Sequence, residues 1–364
     1  MKKKQLVFVP VPGVGHLVSA VQLAKTILER DDSFLITMLA ISNPFAGSMS
    51  KHTESLASMH PEIRFIEIPE AITAPPSEAL AVSPVSAFTS YVNDHKTLVR
   101  DTIVKLVMAD NPAPIASVVV DMFCTAFIDV ARELGVPSHV FFTSGAAFLS
   151  LVLYLSDRED RGEPKFRPTD PDYTIPCFSN PVPYRVLPLL HSDVEYEAFA
   201  NHGRKFKDSN GIIVNTFSEA ESHAVSALLA RNDISIRLKP SEGKLHPCFL
   251  DSYGEILPQG FLERTKNIGM LCGWAPQVEI LAHKAVCVFV SHCGWNSILE
   301  ALWYAVPVIT WPLYGEQHMN AFQLVKELGL AVELTLDFRR DCPTDFVKAE
   351  EITKAVKSMM EQEG

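Results

Sequence analysis

The chain has 364 residues, 47% hydrophobic and 21% charged, a soluble globular balance with length enough for two domains. Its net charge of −11 argues against a broad nucleic-acid or anionic-membrane surface. Seven cysteines without framework spacing suggest reduced thiols in the cytosol, and with no CxxC pair or HExxH helix no metal is expected.

The opening MKKKQLVFVPVPGVGH resembles a leader, but Pro10, Pro12 and His16 interrupt it and no small-residue cleavage site follows. It reads instead as a strand over 5–10, a loop Pro12–His16 and a helix Leu17–Arg30. Strands follow over Phe34–Ala40 and Ile63–Ile68, then a long helix Ala87–Met108. A strand Ile115–Val120 ends at Asp121, and a helix Phe123–Leu134 follows it. The strand His139–Phe142 leads into a helix Ala146–Ser156. The apolar run Val140–Leu155 contains Thr143, Ser144, Gly145 and Ser150 and is shorter than the ~20 residues of a membrane span. Alternating strand and helix predicts a doubly wound parallel sheet, which keeps its chemistry at the carboxyl ends of its strands. His16 and Asp121 both fall there.

Residues 162–188 hold seven prolines and exclude helix or central strand. A helix Tyr196–Lys207, a strand Gly211–Thr216 and a helix Ser218–Ala230 with Ser218 as cap come next. The stretch Trp274–Gln317 then holds all four tryptophans of the chain. Its run 286–292 reads as a buried strand, 297–305 as a helix and 306–312 as a further strand. Ile298, Leu299, Leu302 and Trp303 form the helix's apolar face. Gly294 permits a tight turn before that helix, and Asn296 or Ser297 can cap it. A helix N-terminus at the end of a parallel strand offers N–H groups and positive dipole to a phosphate. Trp274 and Trp295 present flat surfaces for a base or sugar, while Glu300, Glu316 and Gln317 can accept hydroxyl hydrogens.

The 44 positions from Trp274 to Gln317 closely resemble the signature box of plant secondary-product UDP-glycosyltransferases. PGVGHL and VVVDMF fall where that family carries a catalytic histidine and its orienting aspartate. The resemblance implies a GT-B fold of two Rossmann-like domains, residues 1–233 binding the acceptor and 234–364 the UDP-sugar. It implies that His16 deprotonates an acceptor hydroxyl and that Asp121 holds the other ring nitrogen. It places Trp274 at the uracil, Ala275 in the donor site, Gln277 at the uridine and Glu300 at the ribose. His292, Gly294, Asn296 and Ser297 would hold the diphosphate, and Trp295, Glu316 and Gln317 would read the sugar. Thr143, in FFTSGA, matches a donor-sugar position and equally suits a helix cap. Gly15, Phe123 and Tyr314 would border the acceptor, and the proline-dense loop would run over its cleft or simply connect elements. The implied activity is inverting transfer of glucose from UDP-glucose to a phenolic such as a flavonoid. The protein would be cytoplasmic and monomeric, with no cofactor beyond the co-substrate sugar nucleotide.

After Asn232 the sequence departs from the family. RNDI runs into SIRLKP, so Ser235-Ile236-Arg237 reads as the tail of the second domain's second strand. Two strands and a crossover helix are then missing at 234–235, on the order of 80 to 100 residues where one βαβ unit needs about 30 or more. The final helix, begun at Glu350, is also cut short, and Cys287, Val288 and Ala305 stand where glycine is usual. Loss of a central strand exposes sheet edges and predicts reduced stability. The alternative it raises is a shortened chain that binds acceptor or a partner without turnover. An NAD-dependent oxidoreductase, suggested by parallel sheets alone, lacks its GxGxxG fingerprint here.

Overall fold

The computed structural model describes residues 3–42, 49–69, 83–109, 112–188, 192–239, 260–272, 275–338 and 345–360. Trp274 lies outside the described residues, as does the end of the expected last helix beyond Met360. Among the described residues ten strands form two parallel sheets: β1 Lys4–Val9, β2 Phe34–Ile41, β3 Ile63–Ile68, β4 Ile115–Asp121, β5 Ser138–Phe142, β6 Ile212–Val214, β7 Ile236–Leu238, β8 Phe289–Ser291, β9 Val308–Thr310 and β10 Ala331–Glu333. The first sheet runs β3-β2-β1-β4-β5-β6-β7, and the second runs β10-β9-β8.

The first order is the doubly wound one, with helices burying apolar side chains on both faces. Val7 and Val9 of β1 face one cluster with Val118 and Val120, while Leu6 and Phe8 face the other with Leu17 and Phe141. Period-two alternation between two covered faces accounts for the continuous apolar strands. The helix of the first crossover begins at Val14, three residues earlier than expected, so His16 sits in a first helical turn rather than a loop. Gly13 is extended and its carbonyl already accepts from Leu17, which makes it the cap. The expected helix over 87–108 is two helices, Pro84–Asp94 and Lys96–Val107. They part at His95, whose Nδ1 binds the Tyr91 carbonyl at 2.8 Å and so competes for a helical acceptor. The helix after β6 spans Ser222–Leu229 with Glu221 at its cap position, so Ser218 does not cap it.

Ile236–Leu238 corrects the reading of the junction. Its three residues pair in register with Ile212–Val214 of β6, as the last strand of the first sheet. The short β6 leaves an open edge that the incoming chain fills. The second sheet has three-residue strands, and the expected buried strand over 286–292 shrinks to β8, an edge strand. Among the described residues β8 has a neighbour on one side only, and there Phe289 is half-buried and Val290 is 41% exposed. Trp303 is also corrected: it is 54% exposed, because the helix Trp295–Trp303 turns Trp295, Ile298 and Ala301 inward instead.

That helix ends in a Schellman turn, with Ala305 N–H bound to Leu302 O at 3.1 Å and Val306 N–H to Ala301 O at 2.9 Å. Ala305 takes φ 54°, which is why glycine suits the position. Left-handed backbone costs an L-residue roughly 1–2 kcal/mol, partly offset by glycine's larger unfolded-state entropy. Ala305→Gly is therefore expected to stabilise the protein by about 0.5–1 kcal/mol, read as a higher urea midpoint at unchanged slope. A lower midpoint would contradict that strain.

Candidate active site

The proline-dense segment is more than a connection. Phe166, Ile175, Cys177, Phe178, Val182 and Val186 are buried, and Phe178 meets Phe322 edge-on at 5.8 Å. Glu327 accepts from the Ser179 and Asn180 amides at 2.9 Å each. These contacts help to hold the second unit against the first, and between the two lies a cavity of about 840 Å³.

One wall is the first helical turn and the carboxyl ends of β4 and β5. His16 Nδ1 lies 2.8 Å from Asp121 Oδ2 and 2.9 Å from Thr143 Oγ1. The Thr143 hydroxyl donates to Met122 Sδ at 3.6 Å, so its oxygen accepts from the ring. Nδ1 therefore carries the proton, shared between two acceptors, and Nε2 is the basic nitrogen left for the cavity that the ring lines. Burial by itself lowers the imidazole pKa, but the Asp121 charge and hydrogen bond, with a pull from Glu316, raise it above the ordinary value. Asp121 is 2% exposed, and its second oxygen accepts from the Phe123 amide at 3.1 Å. Phe123 stands 5.9 Å from the His16 ring, tilted.

The opposite wall is the turn after β8 and the helix that starts at Trp295. Gly294 precedes it, and no side chain caps the helix, contrary to the expectation for Asn296 or Ser297. Those side chains are used elsewhere. Ser297 Oγ accepts from Gln277 Nε2 at 2.9 Å. Asn296 reaches across the cavity: its Oδ1 accepts from Ser19 Oγ at 3.1 Å and from Asn215 Nδ2 at 3.2 Å. The Trp295 indole N–H donates to the Asn215 carbonyl at 2.6 Å, and the ring is buried. An uncapped N-terminus with positive dipole thus faces the cavity, which suits an anion. His292 borders the same turn, its pKa lowered by burial, so it is a neutral hydrogen-bonding ring. A Cβ on Gly294 would stand 2.5 Å from His292 Nε2, so a larger residue there would push the ring aside.

Glu300, 5% exposed, accepts from Gln277 Nε2 at 2.6 Å. Burial raises its pKa, the Gln277 bond opposes that and Glu279 adds to it. The Gln317 carbonyl oxygen accepts from the Leu313 and Tyr314 amides at 3.0 Å each, which fixes its NH₂ group as the part that can donate. Glu316 accepts from Ser144 Oγ at 3.4 Å across the cavity, and burial raises its pKa against the opposing pull of His16.

Gly15, His16, Phe123, Thr143, Ala275, Gln277, His292, Gly294, Trp295, Asn296, Ser297, Glu300, Tyr314, Glu316 and Gln317 all line this one cavity, and Asp121 stands directly behind His16. Thr143 does not cap the following helix. The Glu221 carboxylate does, accepting from the Ala146 and Ala147 amides at 2.7 and 2.9 Å. Sequence reasoning missed Phe148 and Phe199, which line the cavity from helices whose periodicity marks them only as core, and Asn215, whose place in GIIVNT gave no signal.

The family model for "UDP-glucoronosyl and UDP-glucosyl transferase" matches residues 242–363. UDP-glycosyltransferase 71K2 of Pyrus communis is 36% identical over 441 positions, covering all of this chain and 91% of the pear protein. Since 364 residues occupy those 441 positions end to end, the pear protein carries interior residues with no counterpart here. UDP-glucose flavonoid 3-O-glucosyltransferase 6 of Fragaria ananassa is also 36% identical, covering all of this chain and 92% of that protein. The crystal structure of Medicago truncatula UGT71G1 complexed with UDP-glucose superposes with a TM-score of 0.85 at 35% identity, over all of this chain and 91% of that one. In this family the UDP-sugar is a co-substrate. The chain belongs to the plant UDP-glycosyltransferases and is a glycosyltransferase of the GT-B fold.

Proposed function

We propose that the protein transfers glucose from UDP-glucose to a hydroxyl of a small phenolic acceptor of the flavonoid kind, with inversion. The acceptor lobe comprises residues 1–233 extended through β7, and the donor lobe the remainder. The observation that carries this reading is the pairing of two features across one cavity. His16, backed by Asp121, faces the uncapped N-terminus of the helix Trp295–Trp303.

In this reading the acceptor hydroxyl gives its proton to His16 Nε2 as its oxygen attacks the anomeric carbon. The bond from that carbon to the UDP oxygen breaks, and UDP leaves on the opposite face. Asp121 stays ionised, fixes the tautomer and stabilises the imidazolium. The leaving diphosphate takes the backbone N–H groups at Trp295–Ser297 and the His292 ring, a stabilisation of developing charge. Asn296 contributes through its backbone, because its side chain is engaged by the other lobe. The resemblance assigns Trp274 to the uracil, Ala275 lines the donor side of the cavity, Gln277 meets the uridine and Glu300 accepts from the ribose hydroxyls. Glu316 and the Gln317 amide bind the sugar. Gly15, Phe123, Tyr314, Phe148 and Phe199 border the acceptor, and that aromatic lining favours a flat apolar molecule. The relatives' flavonoid 3-O-glucosyltransferase name supports the acceptor class. Among the described residues no helix is long and apolar enough to cross a membrane, and the buried thiols of Cys124, Cys177 and Cys293 are unbridged. Both facts support a cytoplasmic site of action.

Among the described residues β8 has a strand neighbour on one side only, which favours a second reading, binding without turnover. Radiolabelled UDP-glucose with a panel of flavonoids separates the two. Labelled glycoside that forms with the protein and not with His16→Ala supports the enzyme. Acceptor binding with no labelled product supports the second reading.

A further inference from the structure

Glu221 is 1% exposed and lies outside the cavity lining, yet it touches the segments that form both walls. A buried carboxylate is costly unless its lone pairs are met, and every group that meets this one is a donor. Oε2 accepts from the Ala146 amide at 2.7 Å and from the Thr216 hydroxyl. Oε1 accepts from the Ala147 amide at 2.9 Å and from Gln323 Nε2 at 3.1 Å. Three of these donors belong to the acceptor lobe. Gln323 belongs to the other, on a π-helical turn Gln323–Glu327 that continues the helix Gln317–Phe322. Gly145 is wedged at the same point, where a Cβ would stand 2.8 Å from Glu221 Oε1 and 2.9 Å from the Trp295 ring.

Capping the helix Ala146–Asp160 explains the two amides but not Gln323. The cap fixes the turn that carries Thr143 and Ser144. The Gln323 bond fixes the helix whose start carries Glu316 and Gln317. We propose that Glu221 is a positioning residue for transfer, latching the sugar-side groups Glu316 and Gln317 to the base-side groups Thr143 and Ser144 through its bond to Gln323. This role rests on the cavity being the transfer site.

Gln323→Met tests it, because it removes the cross-lobe donor at similar length and leaves the cap in place. The measurements are UDP affinity, kcat per UDP-binding site, and amide exchange of 143–147 and 323–327 with and without UDP. A displacement of about 1 Å at a reacting centre lowers rates by as much as about 10²-fold. The expected result is UDP affinity within about twofold of wild type, kcat lower by about tenfold or more, and loss of the UDP-induced protection at 143–147. A general loss of stability would instead reduce the number of binding sites and leave kcat per site unchanged. Unchanged kcat per site with retained protection overturns the latch. If wild type binds UDP without transferring glucose, the functional reading fails and the exchange data alone judge the latch. Should UDP not bind at all, Gln323→Met must raise unliganded exchange in both segments, and a rise in neither overturns the proposal.

Discussion

Replacing His16 with alanine is expected to lower kcat/KM for transfer by roughly 10²–10⁴-fold, the usual contribution of a positioned general base, with UDP affinity nearly unchanged. The affinity holds because the groups assigned to the diphosphate and uridine stand on the opposite wall. The pH profile sharpens the test. The imidazole works as a base only when neutral, so kcat/KM rises as pH passes its pKa. Burial lowers that pKa, and the Asp121 charge and hydrogen bond more than reverse the effect, which puts the acid limb above the ordinary 6.5. Asp121→Asn removes the charge, so the limb moves to lower pH. The plateau falls as well, since an asparagine amide can hold the wrong tautomer. Pre-steady-state or steady-state profiles on wild type and Asp121→Asn decide the matter. An acid limb that stays in place would mean that His16 and Asp121 do not act as a pair.

Much of this site was legible because its residues come in short runs at strand ends. HCGWNS places five lining groups within six positions and FFTSGA two, and a doubly wound order brings such turns to one edge of the sheet. The partnership of His16 with Asp121 spans 105 positions and was reached through that topology and the family resemblance together. Three features were not legible, each because a distant partner overrides a local preference. Thr143 looks like a cap, yet Glu221 caps its helix from 75 residues away and frees the hydroxyl for His16. Asn296 and Ser297 look like caps, yet Ser19, Asn215 and Gln277 engage them. Ile236–Leu238 resembles a second-domain strand in sequence, but β6 has an unfilled edge next to it and the pairing follows the edge. Trp303 failed for a geometric reason. One helical position decides which side of a helix faces the sheet, and the buried stripe passes through Ile298 and Ala301.

Saturating UDP-glucose is expected to give the largest change in stability, because the donor lobe is where the fold is thinnest. Among the described residues its sheet has three strands of three residues, with β8 at one edge. The pocket adds its own cost, since Glu300 is buried with Gln277 as its side-chain donor and its pKa is raised by that burial. Vicinal ribose hydroxyls supply the donors such a carboxylate needs. A ligand at 100 times its Kd stabilises the state it binds by about 2.7 kcal/mol. For a unit of this lobe's size that corresponds to a rise in Tm on the order of 10 °C. Glu300→Ala removes charge-assisted hydrogen bonds worth about 1.5–3 kcal/mol, so Kd rises by roughly 10–150-fold and about half to nine-tenths of the shift at the same concentration disappears. Scanning calorimetry on both proteins, with and without UDP-glucose, provides the comparison. A shift of equal size in the variant would move the ribose away from Glu300. No shift in wild type would mean that this lobe does not hold the sugar nucleotide, and that the interior residues its relatives carry are needed to close the donor site.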